Sequence, residues 1–526
     1  MTDAPQVIVV GSGPAGVSAA WPMVRAGMNV LMLDASNGEA AATPQSRPIS
    51  EFRSDPQRWK DQFGVDLSAL ATIDDVSPKL STPQARATLA GYGAQLGLVT
   101  SDFFAAGSLG RGGLSKVWGA LAVPFDRDDL AGFPGAEDMD VSYRAVCRRI
   151  GVSGGPDCDA AAVVHAPSRA LLTNYRRRAA SPLTLYPAPN AVLDAHLDDR
   201  QACSQCGLCL YGCSRGSIYD SGRDVPALQR YANFSYRPGH VVQALDRDGA
   251  GHRIMVDVAG RRKYLRAPTV VLAAGTIATT DLVLRRLRLT DLPVRLLSNP
   301  AAAVAFVMPA YVGSDFSDRA FGLGQLFYRW RADDIDAAGV IYGADTLPLA
   351  QLAARMPVAR PFALRLARAL APALLMTTCY VPGALSESTL RVEAIGGTRR
   401  VVIDGATTTA ASAALRASIR SLKRAFLRLG AIAVPGSTTL LQPGADAHYA
   451  GTIPMRGAGP IATSAHGELK DCDNLFVADG ASLPALPAAH PTLTIIANAD
   501  RIGREIVRRR QSQAEPDRAD MRELAS

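Results

Sequence analysis

Four cysteines follow one another closely in the segment CSQCGLCLYGC, at positions Cys203, Cys206, Cys209 and Cys213. Their spacing, C-x2-C-x2-C-x3-C, is that of the thiolates that ligate iron–sulfur clusters in bacterial ferredoxins. Two features depart from that pattern, because Ser214 stands where a ferredoxin has proline and the sequence has no second cysteine run. The segment predicts a metal site that holds an iron–sulfur cluster. Zinc and structural thiols or disulfides are the alternatives.

A glycine-rich turn follows the first β-branched run of the chain, VIVVGSGPAG. Gly11 permits a tight turn, Gly13 lets the backbone approach a pyrophosphate, and Gly16 lets a helix pack closely on the strand. A second predicted strand, NVLMLDA, ends in Asp34, where an acidic residue accepts hydrogen bonds from a ribose. This order predicts a dinucleotide site without distinguishing FAD from NAD. Pro22 predicts a kink in the helix or its early end.

The composition is that of a globular enzyme large enough for two domains, since 48% of the 526 residues are hydrophobic and 20% are charged. The net charge of +8 is spread along the chain and aromatic residues make up only 6%, which argues against a nucleic-acid partner. The first strand begins at Gln6 with no secretory signal before it, and no clean membrane span follows. We therefore expect a cytoplasmic protein.

Between residues 299 and 444 the sequence pattern changes to several predicted strands followed by a long predicted helix. Four runs are typical of strands, and a long helical pattern ends at Gly430; the runs are AAAVAFVMPAYVG, LLMTTCYVP, STLRVEAI and RRVVIDG. The segment from Leu347 to Met376 carries Arg355, Arg360, Arg365 and Arg368 among apolar residues. Residues 360–376 are therefore expected either to contact a membrane surface peripherally or to form a helical lid on the protein.

Three further segments carry a family resemblance: GSLGRGGLSKVWGALAVPF, VVLAAGTIATTDLVL and NLFVADGASLPALPAAHPTLTIIANADRIGREIV. With the glycine-rich unit they resemble the glucose–methanol–choline (GMC) family of flavin oxidoreductases, from residue 7 to about residue 507. The resemblance implies an α/β fold (α+β overall), with a Rossmann-like FAD-binding domain and an interleaved antiparallel-sheet substrate domain. It assigns residues 1–125, 190–295 and 445–510 to the first domain, 126–189 and 296–444 to the second, and 511–526 to a flexible tail.

The resemblance also implies FAD as the cofactor. Asp479 would face ribityl or pyrophosphate oxygens, and the helix beginning near Pro491 would face the flavin pyrimidine. Members with covalent FAD use a histidine in or beside the segment that reads GGLSKVWGA here, and this chain has none there, so we expect non-covalent FAD. The expected cofactor contacts are Gly11, Gly13, Gly16, Asp34, Gly113, Ser115, Trp118, Val242, Ala274, Gly275, Asp479, Gly480, Pro491 and Thr492.

Two of the seven histidines match catalytic positions of the family, His448 in HYAGTIPM and His490 in AAHPTLT. Histidine suits a base that removes a hydroxyl proton near neutral pH. We assign His448 as the principal base and His490 as the partner that orients the substrate oxygen, although the two could exchange roles. The other histidines match no catalytic position and are expected at the surface: His165, His196, His240, His252 and His466.

The expected reaction is oxidation of a sugar, polyol or other secondary alcohol, with hydride passing to flavin N5. Within the family, the cysteine segment resembles one in fatty alcohol and cholesterol oxidases, where it only packs, and one in bacterial sugar dehydrogenases, where it helps to hold an iron–sulfur cluster. A cluster would favour a dehydrogenase that passes electrons to a quinone, cytochrome or other carrier; without it, oxygen is a reasonable acceptor. The alternatives are an NAD(P)H-linked flavin reductase or desaturase and a non-catalytic flavin/iron–sulfur electron-transfer subunit. A peripheral position at the inner membrane surface is the alternative to a free cytoplasmic protein.

Overall fold

The computed structural model of the protein describes residues 4–36, 48–54, 78–178, 182–249, 251–332, 335–354, 356–395 and 398–523. Its strands are β1 (Val7–Val10), β2 (Val30–Leu33), β3 (Leu98–Ser101), β4 (Leu183–Pro187), β5 (Phe234–Arg237), β6 (Val241–Asp248), β7 (Gly251–Val258), β8 (Arg261–Ala267), β9 (Thr269–Leu272), β10 (Val294–Arg295), β11 (Ala301–Val307), β12 (Leu326–Ala332), β13 (Ile335–Gly343), β14 (Leu374–Tyr380), β15 (Thr389–Ile395), β16 (Thr398–Asp404), β17 (Ile432–Ala433), β18 (Thr439–Leu440) and β19 (Leu475–Val477). Its α-helices are α1 (Pro14–Arg25), α2 (Ile49–Ser54), α3 (Pro83–Leu89), α4 (Tyr92–Leu96), α5 (Met139–Ile150), α6 (Ala166–Arg177), α7 (Asp224–Leu228), α8 (Thr276–Arg286), α9 (Leu349–Ala354), α10 (Arg360–Leu370), α11 (Thr409–Arg428) and α12 (Thr492–Glu523).

A five-stranded parallel sheet carries the glycine-rich turn. Its order is β19-β9-β1-β2-β5, so the first strand of the chain lies at the centre. Gly11 leaves β1 with a φ of +101° and leads directly into α1. A Cβ at Gly11 would collide with the carbonyl oxygen of Ala273, and a Cβ at Gly16 would collide with the carbonyl oxygen of Gly11. Only glycine therefore fits at either position.

Alternate residues of β1 face two different layers. Val7 and Val9 are buried in a cluster with residues of α1 and α12, whereas Ile8 and Val10 are buried toward the antiparallel three-stranded sheet β6-β7-β8. The central sheet is covered on both faces, which is typical of parallel sheets in α/β proteins. The predicted α/β class with a Rossmann-like unit is confirmed.

The second large sheet is antiparallel and has the order β17-β11-β14-β13-β12-β4, with β18 added beside β11. On one face Ile341 and Leu375 are buried with Phe426 of α11. On the other face Tyr342 and Met376 line a cavity toward the parallel sheet. The strands predicted from the sequence between residues 299 and 444 form β11, β14, β15 and β16, and the predicted helix forms α11.

A four-stranded sheet links distant parts of the chain. Its order is β10-β15-β16-β3, and the pairing of β16 with β3 is parallel. Residues 98–101 were assigned by the resemblance to the FAD-binding domain, and residues 398–404 to the substrate domain. The two predicted domains therefore share a sheet at this point.

Three local features differ from the expectations. α1 continues through Pro22 to Arg25, so the helix does not end early; its buried side chains pack against α12. α12 runs on to Glu523, so much of the predicted flexible tail is helical. Residues 347–376 form α9, α10 and the start of β14, with Arg355 outside the described residues. Within the described part of the chain, no helix combines the length and apolar character needed to cross a membrane.

Candidate active site

A cavity of about 610 Å³ lies between the parallel sheet and the large antiparallel sheet. Gly16 is absent from its wall, because that residue serves the packing of α1 on β1. The other residues expected at the cofactor and the reacting atoms all line this one cavity: Gly11, Gly13, Asp34, Gly113, Ser115, Trp118, Val242, Ala274, Gly275, His448, Asp479, Gly480, His490, Pro491 and Thr492. The fold therefore gathers widely separated segments into a single site.

The N-terminus of α1 forms one end of the cavity. Gly13 is the N-cap of α1, no side chain caps the helix there, and a Cβ at Gly13 would meet nothing within 4 Å. Asp34 accepts hydrogen bonds from the backbone N–H groups of Ser12 at 2.9 Å and Ser36 at 2.8 Å, and its carboxylate also borders the cavity. An open helix N-terminus stabilises a pyrophosphate, and an acid at this place accepts hydrogen bonds from a ribose. These residues fit FAD.

Asp479 joins two turns at the cavity. One carboxylate oxygen accepts hydrogen bonds from the Gly275 N–H at 2.9 Å and the Thr279 hydroxyl at 2.5 Å, and the other accepts from the Ala481 N–H at 3.1 Å. Burial raises the pKa of Asp479 to about 6, and these hydrogen bonds oppose that rise. The carboxylate thereby fixes the turn after β9 against the turn after β19. A direct contact between Asp479 and the cofactor stays a prediction.

Ser115 and Trp118 shape the cavity wall with their polar atoms engaged inside the chain. The Ser115 hydroxyl donates to the Gly112 carbonyl oxygen at 2.6 Å, and the Trp118 Nε1 donates to the Tyr219 carbonyl oxygen at 2.8 Å. Lys79, which the sequence analysis did not identify, also borders the cavity and donates to the Trp118 carbonyl oxygen. Burial lowers the pKa of Lys79 to about 8.

His448 and His490 lie side by side at the other end of the cavity. Their ring centroids are 4.9 Å apart, with the planes inclined by 72°. The ring of Tyr380 packs against both, with centroid distances of 5.4 Å to His448 and 4.8 Å to His490. His490 comes two residues before α12, whereas His448 comes from the segment before β19. The structure therefore brings together the two residues that the resemblance singled out.

Asn299 determines which nitrogen of His448 carries the hydrogen. The Asn299 Nδ2 donates to the carbonyl oxygens of Val381 at 3.0 Å and Pro487 at 2.8 Å, which leaves its Oδ1 as an acceptor. That Oδ1 lies 3.1 Å from His448 Nδ1, so Nδ1 is the protonated donor. The Nε2 of His448 then keeps a free lone pair. A free lone pair on a cavity histidine is what a general base requires.

Asp446 lies directly behind this pair. Its side chain is 0% exposed, one oxygen lies 3.6 Å from His448 Nδ1, and the same oxygen accepts the Asn299 N–H at 2.7 Å. Burial raises the pKa of Asp446 to about 8 and lowers the pKa of His448 to about 4. Burial, with a smaller effect from His448, also lowers the pKa of His490 well below its usual value. Near pH 7 all three side chains are therefore neutral.

The sequence analysis did not identify Asn299 or Asp446. Asn299 contacts His448 from a strand entrance far away in the sequence, so no local pattern could have revealed it. Asp446 had one available signal, because it stands two residues before His448 in DAHYAGT. A carboxyl group so close in sequence to a candidate base can affect the pKa of that base.

The four clustered cysteines lie near one another in the fold. Burial raises the pKa of the Cys209 thiol to about 12, and the nearby thiols of Cys203, Cys206 and Cys213 add to that rise. Cys206 packs against a small apolar cluster with Ile49, whereas Cys203 and Cys209 pack against another with Leu323. Among the described residues, no three His, Cys, Asp or Glu side chains are placed to hold a metal ion. All eight cysteines are free, and the four clustered ones do not line the cavity. The metal site at Cys203, Cys206, Cys209 and Cys213 and the iron–sulfur cluster both stay predictions.

Two histidines expected at the surface are buried instead. His165 is 5% exposed and its Nδ1 lies 2.9 Å from the Ser168 hydroxyl, while His252 is 3% exposed and its Nε2 lies 3.0 Å from the Asp473 carbonyl oxygen. The surface prediction is wrong for both, because long-range packing covers segments whose local sequence is polar. His240 borders the nucleotide end of the cavity.

Comparison with known proteins shows similarity to one family of oxidoreductases over part of the chain. Residues 399–499 match the family model described as GMC oxidoreductase, and residues 6–50 match the model of glucose inhibited division protein A. A curated relative, paromamine 6'-oxidase of Streptomyces fradiae, is 28% identical over 288 residues, which are 53% of this chain and 49% of that protein. The match thus spans about half the length of the relative.

A solved structure shares the fold over nearly the whole chain. Pyridoxine 4-oxidase from Mesorbium loti superposes with a TM-score of 0.62 at 15% identity, covering 95% of this chain and 99% of that one. The second matched model, over residues 6–50, covers β1, α1 and β2, the unit whose glycines fit FAD. The C-terminal part of the chain is therefore similar to GMC oxidoreductases, and the lining of the cavity fits FAD as its cofactor.

Proposed function

We propose that this protein oxidises an alcohol to a carbonyl compound, with His448 as the base that accepts the hydroxyl proton. The observation that supports this most directly is the hydrogen bond between His448 Nδ1 and Asn299 Oδ1, since it leaves Nε2 free to take a proton. FAD, when bound, supplies the acceptor for the hydride that leaves the alcohol carbon. The low pKa of His448 keeps its imidazole uncharged near pH 7, so the ring can accept a proton.

His490 and Tyr380 position the substrate in this proposal. His490 is neutral near pH 7 because burial lowers its pKa, so it offers the alcohol oxygen a hydrogen-bonding partner without a fixed charge. Tyr380 packs against both imidazole rings and limits their rotation. Asn299 and Asp446 hold His448 from behind, so the proton enters at Nε2 and leaves from the same atom.

The proposed substrate is a small-molecule alcohol. The sequence analysis led us to expect a sugar, a polyol or another secondary alcohol. The two relatives are named as oxidases of paromamine and of pyridoxine. We propose oxygen as the electron acceptor, in line with those names, and a quinone, cytochrome or other carrier as the alternative. Hydrogen peroxide released in air during turnover supports oxygen; turnover only with an added dye or quinone contradicts it.

His448→Ala tests the proposal. A general base contributes about 100- to 10,000-fold to the rate, so the variant should reduce the flavin at least about 100-fold more slowly under anaerobic conditions. His252→Ala is the matched control, because His252 is buried but bonded to a backbone carbonyl away from the cavity. Equal activity of His448→Ala and wild type would remove His448 from the reaction. Bleaching by NADPH without any alcohol would favour a flavin reductase instead.

A peripheral membrane contact through residues 360–376 also stays a proposal, as does a cytoplasmic location. α10 exposes Phe362 (59%) and Leu364 (44%) close to the exposed Arg365, which suits an anionic lipid surface. Ala363 and Ala367 are buried on its other side, which equally suits a lid lying on the protein. Flotation with anionic liposomes tests the contact: loss of binding in Phe362→Ser supports it, and no flotation of the wild type rejects it.

A further inference from the structure

The cavity wall opposite the parallel sheet is built from one face of the large antiparallel sheet. Tyr342 of β13 and Met376 and Tyr380 of β14 alternate with residues whose side chains are buried under α11. Ala303 of β11 extends this wall. The same part of the cavity is bordered by Leu347 and Leu441. Because a strand exposes every second residue, the composition of this wall follows from the sequence of these strands.

The hydrogen-bonding groups of this wall are few. The Thr378 hydroxyl lies 3.1 Å from the Val340 N–H and accepts from it, so it is engaged within the sheet. The Tyr380 ring is enclosed by the two histidines, and burial raises the pKa of its hydroxyl far above neutral. Burial also raises the pKa of Tyr342 to about 12. Among the described residues that line the cavity here, the Thr377 hydroxyl is buried without a hydrogen-bond partner, and Tyr342 adds a second hydroxyl.

Ionisable groups at the cavity are engaged elsewhere. Asp281 pairs with Arg285 at 2.9 Å and with Arg399 at 3.1 Å. Lys79 donates its ammonium hydrogen to a backbone carbonyl oxygen. Asp446 is covered by His448 and Asn299 and is neutral near pH 7. In the described part of the wall, no carboxylate is therefore placed to pair with an ammonium group of a substrate.

We infer that the substrate is an uncharged alcohol whose body is aliphatic or aromatic, rather than a polyol or an amino sugar. This inference rests on the proposed alcohol oxidation. An apolar body fits the side chains of Met376, Leu347 and Leu441, and the reacting hydroxyl is the one polar group for which the histidine pair provides partners. Each further hydroxyl enclosed here without a partner weakens binding by about 5- to 100-fold, and an unpaired ammonium group weakens it more.

The first experiment compares alcohols of similar size. Anaerobic reduction of the bound flavin is measured with benzyl alcohol, cyclohexylmethanol, glucose, glucosamine and 4-(hydroxymethyl)benzoate. We expect kcat/KM for the two neutral apolar alcohols to exceed that for each of the others by at least about 100-fold. Preference for glucose, glucosamine or the benzoate would overturn the inference while leaving alcohol oxidation intact. Failure of every alcohol to reduce the flavin would overturn both.

The second experiment measures binding without turnover. Benzyl methyl ether has no hydroxyl proton to lose, so it reports affinity for the wall alone. It should raise the Tm of the holoenzyme more than the same concentration of inositol does, since a ligand that binds only the folded state stabilises it. An equal or larger shift with inositol would overturn the inference.

A variant then tests the wall itself. Met376→Glu adds a carboxylate to the wall and should abolish the Tm shift by benzyl methyl ether. It should also change the kcat/KM ratio of 4-(aminomethyl)benzyl alcohol to benzyl alcohol by at least about tenfold in favour of the amine. Leu364→Glu adds the same charge on the exposed side of α10 and serves as the control. An unchanged ratio in Met376→Glu would show that this wall does not contact the substrate.

Discussion

Replacing Asp446 by asparagine removes a carboxyl group from behind the proposed base while keeping its shape. When His448 accepts the substrate proton, the positive charge favours ionisation of Asp446, whose oxygen lies 3.6 Å from Nδ1. At an effective dielectric constant of about 20, two unit charges at this distance attract by about 4.6 kcal/mol. Ionising the Asp446 carboxyl group, whose pKa is about 8, costs about 1.4 kcal/mol at pH 7. The remaining 3 kcal/mol or so corresponds to a rate factor of about 200.

The assay is anaerobic flavin reduction followed by stopped flow from pH 5 to pH 9. Asp446→Asn should lower kcat/KM about 200-fold at pH 7. The loss should grow by about tenfold as the pH rises through 8, because the carboxyl group of the wild type is then already ionised and the cost of about 1.4 kcal/mol is no longer subtracted. Asp345→Asn makes the same change at another buried carboxyl group that does not line the cavity. We expect its pH profile to match that of the wild type.

Two results would refute this reasoning. If Asp446→Asn retains kcat/KM within about threefold of the wild type, the carboxyl group gives the imidazolium no useful stabilisation. If the rate falls by the same factor at every pH from 5 to 9, Asp446 has only a structural role. The pH profile therefore separates an electrostatic role from a general loss of stability, which would lower the amount of active enzyme without moving its profile.

The structure leads to three more predictions. The raised pKa of Asp446 means that its proton is held more tightly in the folded protein, so this contribution to stability is complete below about pH 4 and is lost as the pH rises through 8, by about 6 kcal/mol in total. In urea unfolding, the stability of Asp446→Asn relative to wild type should therefore increase from pH 5 to pH 8, and a constant difference would contradict the shift. Gly13→Val places a side chain into the open space that the pyrophosphate of FAD would occupy at the start of α1. We therefore expect the Kd for FAD to rise by at least about tenfold while the Tm of the apo-protein stays the same. Undiminished FAD content after desalting would show that this turn does not hold the pyrophosphate. Elemental analysis and alkylation test the four clustered cysteines: the predicted cluster requires stoichiometric iron with a broad absorbance near 400 nm, whereas eight alkylatable thiols after unfolding and no iron would reject it.

Local sequence predicted those parts of the site that local geometry determines. The glycines of the first turn are each required by contacts within a single β-turn-α unit, so their spacing was sufficient. Two strands of the large antiparallel sheet, β11 and β14, and two of the four-stranded sheet, β15 and β16, were recognisable from runs typical of strands. The pairing of His448 with His490 came from family resemblance, because nothing in the intervening sequence relates the two positions.

Long-range contacts account for what the sequence did not reveal. The amide of Asn299 is oriented by two backbone carbonyl groups from separate segments, and this orientation turns its Oδ1 toward His448. The parallel pairing of β3 with β16 likewise joins segments that the family resemblance assigned to different domains.

The strand order of the parallel sheet has a consequence for how the chain is made. β1 ends at Val10 and lies beside β9, but β9 receives its other neighbour only when Leu475 and its strand have been synthesised. A ribosome adds about 5 to 20 residues per second, so roughly 10 to 40 s separate the synthesis of β9 from that of β19. During that time one edge of β9 has no partner strand, and unpaired edges favour aggregation. Slower growth at low temperature and added chaperones should therefore increase the yield of this enzyme, whereas removal of the final strand and helix should leave nascent chains that never complete their central sheet.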